Sequence, residues 1–192
     1  MISAMSGRPQ RSFAKPRRAP AAALIAAVAL AAVAAVAMAA QRGPLPRGTH
    51  LLYRHSRIVP IPDAIPHDPG DRIDKRLRAN LSYLADRFPS FYVIDGYAGK
   101  PHERFGEHPL GLAVDVVPAD WDGRGCDGSW RQISRIARWA EPRRNRPRPP
   151  FRWVGYNHDR DHGCGDHLHL SWNHAVARPF HIADWVEVFD VP

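Results

Sequence analysis

The stretch HPLGLAVD, residues 108–115, limits the possible folds of this chain more than any other. Side chains alternate between the two faces of a β-strand, so a strand from Gly111 to Val117 would turn three aliphatic side chains into a core. Gly111, Ala113 and Asp115 would then share the opposite face. Two very small residues precede a lone carboxylate there, so we expect that face to admit something close.

A second short stretch, HLH at 167–169, places His167 and His169 on one face of another predicted strand. His108 precedes the first strand and must reach back from a loop. Together with Asp115, these residues look like the two halves of one metal site. Two histidines and an aspartate suit a catalytic zinc ion, which takes three protein ligands and keeps a fourth position open for water. Iron and manganese accept the same ligand types, so the residue types alone do not single out zinc.

The pattern H-x-x-G-x-A-x-D at 108–115, followed by H-x-H at 167–169, resembles a group of zinc metallopeptidases. That group includes D-alanyl-D-alanine carboxypeptidases, murein endopeptidases, lysostaphin-type endopeptidases and the hedgehog signalling domain. Six residues separate the first histidine from the aspartate, as in the carboxypeptidase-like branch. The resemblance covers roughly residues 70–175, and it implies that His108, Asp115 and His169 bind zinc while His167 is the catalytic histidine.

Peptide hydrolysis needs a group that moves protons, and His167 is our candidate. It shares a strand face with His169 and lies about 7 Å from it along the strand. Asp166 ranks below it, either as a base or as a carboxylate that orients His167.

The chain departs from the family pattern at two places. Gly106 stands two residues before the first histidine, where the family usually has Ser, and Tyr97-Ala98 stands where the family usually has Tyr-Arg. In the family that arginine is associated with holding the terminal carboxylate of the substrate. Lys100 and Arg104, in the loop that follows, are the candidates to bind substrate in its place.

The resemblance implies a D,D-carboxypeptidase or D,D-endopeptidase that acts on peptidoglycan stem peptides. Two alternatives stay open: a non-catalytic, metal-containing module that binds cell wall, and a zinc hydrolase of another ester or amide bond. His167, beside a ligand set with an open position, favours an enzyme, because structural zinc sites usually have four protein ligands.

The N-terminal 40 residues have the layout of an export signal. Residues 1–20 carry five basic side chains and no acidic one, and residues 21–40 are apolar and rich in alanine, ending Ala37-Met38-Ala39. This pattern predicts a signal peptide or an N-terminal membrane anchor. Either one places the rest of the chain outside the cytoplasmic membrane, secreted or tethered through 21–40 and facing the cell wall.

The net charge of +8 does not indicate a nucleic-acid partner. Removing the five basic residues of 1–20 leaves 22 of the 27 lysines and arginines against 19 acidic residues. The excess of positive charge therefore belongs largely to the targeting segment.

Cys126 and Cys164 are the only two cysteines in the sequence. In an exported chain, two cysteines predict one disulfide. Cys164 lies three residues before His167, so the bridge would also steady the loop that leads into the HLH strand.

The composition divides the chain into a linker and extended arm at 41–69 and a catalytic domain at 70–192. Apolar periodicity predicts a helix over roughly 71–87, and a capping box of Ser129 and Gln132 predicts the start of a second helix. Strands and helices alternate irregularly, which favours a single α+β domain with a small mixed or antiparallel sheet and flanking helices. We expect the tail, Ala175 to Pro192, to pack its apolar side chains against the core, as helix or strand.

Two histidines and two tryptophans near the HLH strand are not assigned to the predicted ligand set. His158 and His162 stay outside the predicted ligand set, because their closeness in sequence to HLH is the only argument for them. Trp153 and Trp172 could line a substrate groove, although a tryptophan in a small domain more often belongs to the core.

Overall fold

The structure, a computed structural model, describes residues 48–52, 56–97, 106–173 and 185–191. All of these residues belong to one compact unit, Arg42–Pro192. They form helices and antiparallel strands, which confirms the predicted α+β class.

The described residues contain eight strands and two α-helices. In chain order the strands are β1 (Thr49–Leu52), β2 (Ile58–Pro60), β3 (Arg72–Asp74), β4 (Phe91–Asp95), β5 (Ala113–Pro118), β6 (Trp153–Gly155), β7 (Leu168–Ser171) and β8 (Val186–Phe189). The α-helices are α1 (Arg78–Arg87) and α2 (Trp130–Ala140), and 3-10 turns cover Lys75–Leu77 and His108–Leu110. The central sheet has the strand order β4-β5-β7-β6 and is antiparallel throughout, while β1 pairs with β8 and β2 pairs with β3.

The two inner strands of the central sheet are the most deeply buried part of the fold. Every residue of β5 and of β7 is buried. Helix α2 packs against both strands, and it presents buried side chains spaced three or four residues apart at Trp130, Ile133 and Ala137. Burial of each large aliphatic side chain contributes roughly 1.5–3 kcal/mol, so this packing fixes the relative position of β5 and β7.

One buried amide links α1 to the C-terminal strand. Oδ1 of Asn80 accepts hydrogen bonds from Nε1 of Trp172 at 3.1 Å and from the backbone nitrogen of Phe189 at 2.7 Å. Its Nδ2 donates to the backbone oxygen of Phe189 at 3.3 Å. Each of these buried groups would cost about 1–3 kcal/mol if left unpaired. Asn80 therefore holds β8 and the end of β7 against α1.

The helix predicted over 71–87 is wrong in its first part, which is a strand. β3 pairs with β2, and α1 begins only at Arg78. The carboxylate of Asp74 accepts hydrogen bonds from N and Nε of Arg76, both at 2.9 Å, and so shapes the 3-10 turn that joins strand and helix. As a strand, this segment buries Ile73 completely. Pairing with a distant segment has overridden local helical periodicity.

The predicted capping box at the start of α2 is also wrong. The hydroxyl of Ser129 donates to Oδ2 of Asp120 at 2.7 Å, and the backbone nitrogen of Ser129 donates to Oδ1 at 2.8 Å. The ionised carboxylate is a strong acceptor and takes both donors. Asp120, rather than Gln132, therefore fixes the conformation that leads into the helix.

Both ends of the chain were assigned roles from the sequence. The region 41–69 contains β1 and β2 in its described part, and β1 pairs with β8. Val186, Val188 and Phe189 of β8 are buried, which confirms that the described part of the tail, 185–191, packs against the core as a strand, while 175–184 lie outside the described residues. The predicted signal peptide or anchor, 1–40, lies outside the described residues. Within those residues, none of the helices is long and apolar enough to cross a bilayer.

Cys126 and Cys164 form the predicted disulfide. The bridge spans 38 residues and ties the loop after β5 to the turn before β7. Inside that turn, the backbone nitrogen of Gly163 donates to the oxygen of His167 at 2.8 Å, and the nitrogen of Asp166 donates to the oxygen of Gly163 at 3.1 Å. The covalent tie and these hydrogen bonds together define the path of the chain into β7.

Replacing both cysteines with Ser should lower the free energy of unfolding by about 3–4 kcal/mol, because the loop of 38 residues no longer restricts the unfolded chain. Urea denaturation of the wild type and the double variant measures this difference, and reduced wild type should match the variant. Thiol labelling of denatured, non-reduced protein should find neither cysteine free. An unchanged unfolding midpoint in the double variant would contradict the expectation.

Candidate metal centre

Strand pairing places a carboxylate beside an imidazole. In the antiparallel pair of β5 and β7, Asp115 lies directly opposite His169. Directly opposed side chains share one face, with their Cβ atoms about 4.5–5.5 Å apart. Nδ1 of His169 lies 2.9 Å from Oδ1 of Asp115. The register of these two strands therefore assembles two of the three predicted ligands.

His108 reaches the same point from the 3-10 turn that precedes β5. The residue is fully buried, and its Nδ1 lies 2.6 Å from the backbone oxygen of Gly96. A carbonyl oxygen only accepts, so Nδ1 carries a proton and donates it. In the neutral ring, Nε2 then keeps a lone pair. That atom lies 3.2 Å from Nδ1 of His169 and 3.3 Å from Oδ2 of Asp115.

Gly111 ends this turn and corrects the predicted start of the strand. Its φ of 68° lies in the left-handed region, which favours glycine. A β-carbon at this position would lie 2.6 Å from Cδ1 of Ile58 and 3.0 Å from the backbone nitrogen of Asp74. The strand therefore begins at Ala113. The small size of Gly111 allows β2 and β3 to approach. The expectation that Gly111 makes room for a ligand at the site is therefore wrong.

His108, Asp115 and His169 form a buried group that could hold a metal ion. One ligand atom of each lies within 4.8 Å of those of the other two. Two imidazole nitrogens and one carboxylate oxygen are donors that zinc, iron and manganese all accept. A cation among these atoms would take the lone pair of His108 and offset the buried negative charge of Asp115. These three donors therefore fit a metal ion, and zinc, iron and manganese are all compatible with them.

Local electrostatics keep Asp115 ionised. Burial alone would raise the pKa of this carboxyl, but hydrogen bonds from His108 and His169 hold the pKa well below its usual range. Burial would likewise lower the pKa of His108, but the hydrogen bond to Asp115 and the charge of that carboxylate outweigh it and raise the pKa to about 9. A cation that binds Nε2 of His108 near neutral pH must therefore displace a proton.

The second ring nitrogen of His169 has no hydrogen-bond partner among the residues that the structure describes. Nε2 is buried, and Oε2 of Glu107 lies 3.8 Å away, beyond hydrogen-bond length. Glu107 is itself buried. Histidines that bind metals usually donate their other N–H to a carboxylate or carbonyl, and Glu107 lies close enough to take that role after a small movement. Sequence analysis missed this residue, and only its place directly before His108 could have indicated it.

The other two predicted residues lie on the more exposed side of the group. His167 immediately precedes β7, and its side chain is 19% exposed. Its Nδ1 lies 2.5 Å from Oδ1 of Asp166 and donates to that carboxylate. Nε2 of the neutral ring therefore keeps a lone pair, and this atom lies 3.6 Å from Oδ1 of Asp115. The structure thus brings His167 to the ligand group with Asp166 behind it.

His162, which sequence analysis left out, lies against the same cluster. Its ring centroid is 4.8 Å from that of His167 and 6.0 Å from that of His169. Trp153 packs edge-on against the ring of His162 at 5.2 Å. A β-carbon on Gly155 would lie 2.6–2.9 Å from atoms of that ring, so the glycine leaves the space that His162 occupies. No pattern in the sequence carries this information, because Gly155 and His162 belong to different local segments.

Three further groups of residues were considered from the sequence, and His158 among them was left out of the predicted site. Lys100 and Arg104 lie outside the described residues. Trp172 is fully buried in the core, whereas Trp153 is half-buried and its ring lies 4.5 Å from that of His169. His158 is exposed. Of the two tryptophans considered for a substrate groove, only Trp153 borders the site.

Comparisons of the chain with protein-family models, with curated proteins and with solved structures found no match. The resemblance to zinc metallopeptidases therefore remains a prediction from the motifs at 108–115 and 167–169. The structure adds that these two motifs meet at one buried point.

Each of the three ligand candidates should be necessary for metal binding. Loss of a neighbour that merely orients a ligand costs about 10–100-fold in affinity, so His108→Ala, Asp115→Ala and His169→Ala should each cost more than about 100-fold. Elemental analysis after equilibrium dialysis measures the bound metal. His158→Asn is the matched control, because His158 is exposed and Asn tolerates its positive φ of 74°. Stoichiometric metal in Asp115→Ala would refute the ligand set.

Metal affinity should rise with pH up to about 9, by about tenfold per pH unit, because the cation displaces one proton from His108. Competition with a chelator of known affinity, measured from pH 6.5 to pH 9, tests this. The metal-free fold should show the opposite trend. Because the pKa of His108 is raised in the folded protein, protonation of His108 stabilises the metal-free fold fully below pH 6.5. That stabilisation is lost as the pH rises to about 9. Affinity that is flat across this range would show that His108 is not the displaced group.

Proposed function

We propose that this protein is a zinc-dependent peptidase. The observation that carries the proposal is a buried ligand group of two imidazoles and a carboxylate with a third imidazole, His167, placed 3.6 Å from Asp115 and partly open to solvent. Three protein ligands leave a position open on the ion, whereas structural zinc sites usually use four. A metal hydrolase needs both an open position and a group that moves protons. Both features support an enzyme over a purely structural site.

Zinc is the proposed ion because it accepts this mixed set of ligands in a tetrahedral site and takes no part in redox chemistry. When bound, it would act as a Lewis acid that activates water and polarises the substrate carbonyl. His108 and His169 would supply neutral nitrogen donors. Asp115 would supply the negative charge that makes a buried dication tolerable.

His167 is proposed to accept a proton from water and to return it to the leaving amine. Its Nδ1 donates to Asp166 at 2.5 Å, which leaves the lone pair of the neutral ring on Nε2, the atom nearer to Asp115. Asp166 would stabilise the ring once it is protonated and keep it in one orientation, so we assign Asp166 as a positioning residue. Asp166 is not proposed as the base itself, because its carboxylate accepts the hydrogen bond from Nδ1 of His167.

The proposed substrates are peptide bonds that contain D-amino acids in peptidoglycan stem peptides. Two observations support this class: the spacing of six residues between His108 and Asp115, which resembles the carboxypeptidase-like branch, and the export-type N-terminus. The disulfide between Cys126 and Cys164 is consistent with an oxidising compartment outside the cytoplasmic membrane. The protein would then be secreted, or tethered through 21–40, with the cell wall as its partner and no nucleic acid.

The choice between internal and terminal bonds depends on the substrate carboxylate. Ala98 stands where the resembling family usually has the arginine that holds it. We therefore propose internal crosslinks as the preferred bonds, unless Lys100 or Arg104 binds the terminal carboxylate instead.

Mass spectrometry of purified muropeptides before and after incubation tests the proposed activity. A D,D-endopeptidase should convert crosslinked dimers to monomers, and a D,D-carboxypeptidase should remove one terminal alanine. A binding module should leave every mass unchanged while remaining bound to cell wall in a sedimentation assay. A hydrolase of another bond should remove a different group, such as an acetyl. Either of the last two outcomes would overturn the peptidase proposal.

His167→Ala should keep near-normal zinc but lose about 100- to 10,000-fold in the rate of hydrolysis, because the residue moves protons and does not hold the ion. Rates on a D-alanyl-D-alanine peptide and on a crosslinked dimer, with zinc content from elemental analysis, measure both effects. His158→Asn should change neither. If His167→Ala loses zinc as completely as His169→Ala, the two roles are misassigned, and if it keeps full activity, another group is the base.

A further inference from the structure

The face of the central sheet that carries the ligand group continues beyond it. Across that face, Asp115 on β5 lies opposite His169 on β7, and His169 lies opposite Gly155 on β6. The ring of His162 occupies the space above Gly155, where a side chain from the strand itself would clash. His169 is therefore flanked by Asp115 on one side and by His162 on the other, with His167 two residues before it in the chain.

In the described part of the chain, each of these three histidines has one ring nitrogen that no hydrogen bond engages. Nδ1 of His162 donates to the backbone oxygen of Arg160 at 2.8 Å, so its Nε2 keeps a lone pair in the neutral ring. Nδ1 of His167 donates to Asp166, with the same consequence for Nε2. Nδ1 of His169 lies 2.9 Å from Oδ1 of Asp115, and its Nε2 is buried with no hydrogen-bond partner within the described residues.

We propose that His162, His167 and His169 form a second position for a transition-metal cation, beside the first and sharing His169. One ligand atom of each residue lies within 4.8 Å of those of the other two. When both positions are filled, His169 would bridge them through its two ring nitrogens, and the proton on Nε2 would leave to solvent. Glu107 would accept that N–H only while the second position is empty. Three imidazoles without a carboxylate suit zinc, copper or nickel and do not suit magnesium or calcium.

The second position is weaker than the first for two physical reasons. None of its three ligands is a carboxylate, and Asp115, whose Oδ1 lies 3.6 Å from Nε2 of His167, would already be bound to the first cation. A cation in the first position would also repel a second one. His162 and His167 are also only half-buried, whereas His108, Asp115 and His169 are buried. Competition with water for the cation is therefore stronger at the second position. We expect it to fill only when zinc is in excess.

Filling the second position has a consequence that rests on the proposed function. It engages the lone pair on Nε2 of His167, which is the pair proposed to accept the proton during hydrolysis. A second zinc ion should therefore inhibit the enzyme. The site would act as a sensor of metal excess, with inhibition that disappears when the free zinc concentration falls.

The test is equilibrium dialysis of the full-length protein against buffers of increasing free zinc, followed by elemental analysis. Wild type should bind one equivalent at low free zinc and a second at high free zinc. His162→Phe should bind only the first, because the ring that packs against Trp153 is kept while its nitrogens are lost. His158 is an exposed histidine of the same loop, and the His158→Asn variant should still bind two equivalents. Far-ultraviolet circular dichroism of each variant checks that it is folded.

Two outcomes would overturn the proposal: a wild type that never exceeds one equivalent, or a His162→Phe variant that still binds two. Inhibition by excess zinc, measured in parallel, should be present in wild type and absent in His162→Phe. If the protein binds two equivalents but cleaves no peptide, the proposed function fails while the second position stands. If it cleaves peptide but binds one equivalent, the reverse holds.

Discussion

The pairing of Asp115 with His169 across β5 and β7 is the constraint on which the rest of the structure depends. A carboxylate in the middle of a buried strand is costly unless charge and hydrogen bonds compensate it. Strand register is set by alternation, and a slip of one residue would turn Asp115 into the aliphatic core and Val114 or Val116 out of it. The same alternation in β7 separates Leu168 and Leu170, which are buried in the core, from His169. The hydrophobic pattern that fixes the register therefore also fixes the candidate metal site.

The ligand group joins segments that are distant in the chain. His108 comes from a turn, is anchored by the backbone oxygen of Gly96 after β4, and meets residues from β5 and β7. A cation held by this group would cross-link these segments and would stabilise the folded state by an amount that grows with its concentration relative to the dissociation constant. In its absence, the attraction between protonated His108 and ionised Asp115 provides part of the same tie. The site is thus part of the fold and not an addition to its surface.

Features that a motif or a residue count marks in the sequence could be predicted, including the meeting of the motifs at 108–115 and 167–169. Features that depend on a neighbour without such a mark could not. The alternation in HPLGLAVD gave β5 to within two residues, and its error, the start at Gly111, came from a turn whose positive φ no alternation records. The disulfide followed from a count of cysteines. The first part of the helix predicted over 71–87 was wrong because β2, a strand outside that window, pairs with those residues, whereas the helix was confirmed from Arg78 to Arg87. Glu107 and His162 were missed for the same reason, since their importance comes from neighbours that only the fold brings together.

The candidate site divides its residues between rigid and less constrained parts of the fold. The ligand candidates lie on paired strands and in a buried turn, where backbone hydrogen bonds and packing hold each donor in one place. His162 and His167 lie in the loop between β6 and β7, where the disulfide at Cys164 limits the excursions of an otherwise irregular segment. Metal ligands need fixed geometry, whereas a group that carries protons must reach both water and leaving group during the reaction. A loop held by the disulfide and a few backbone hydrogen bonds satisfies the second need without disturbing the first, which is why we place the ligands on the sheet and the proton carrier at its edge.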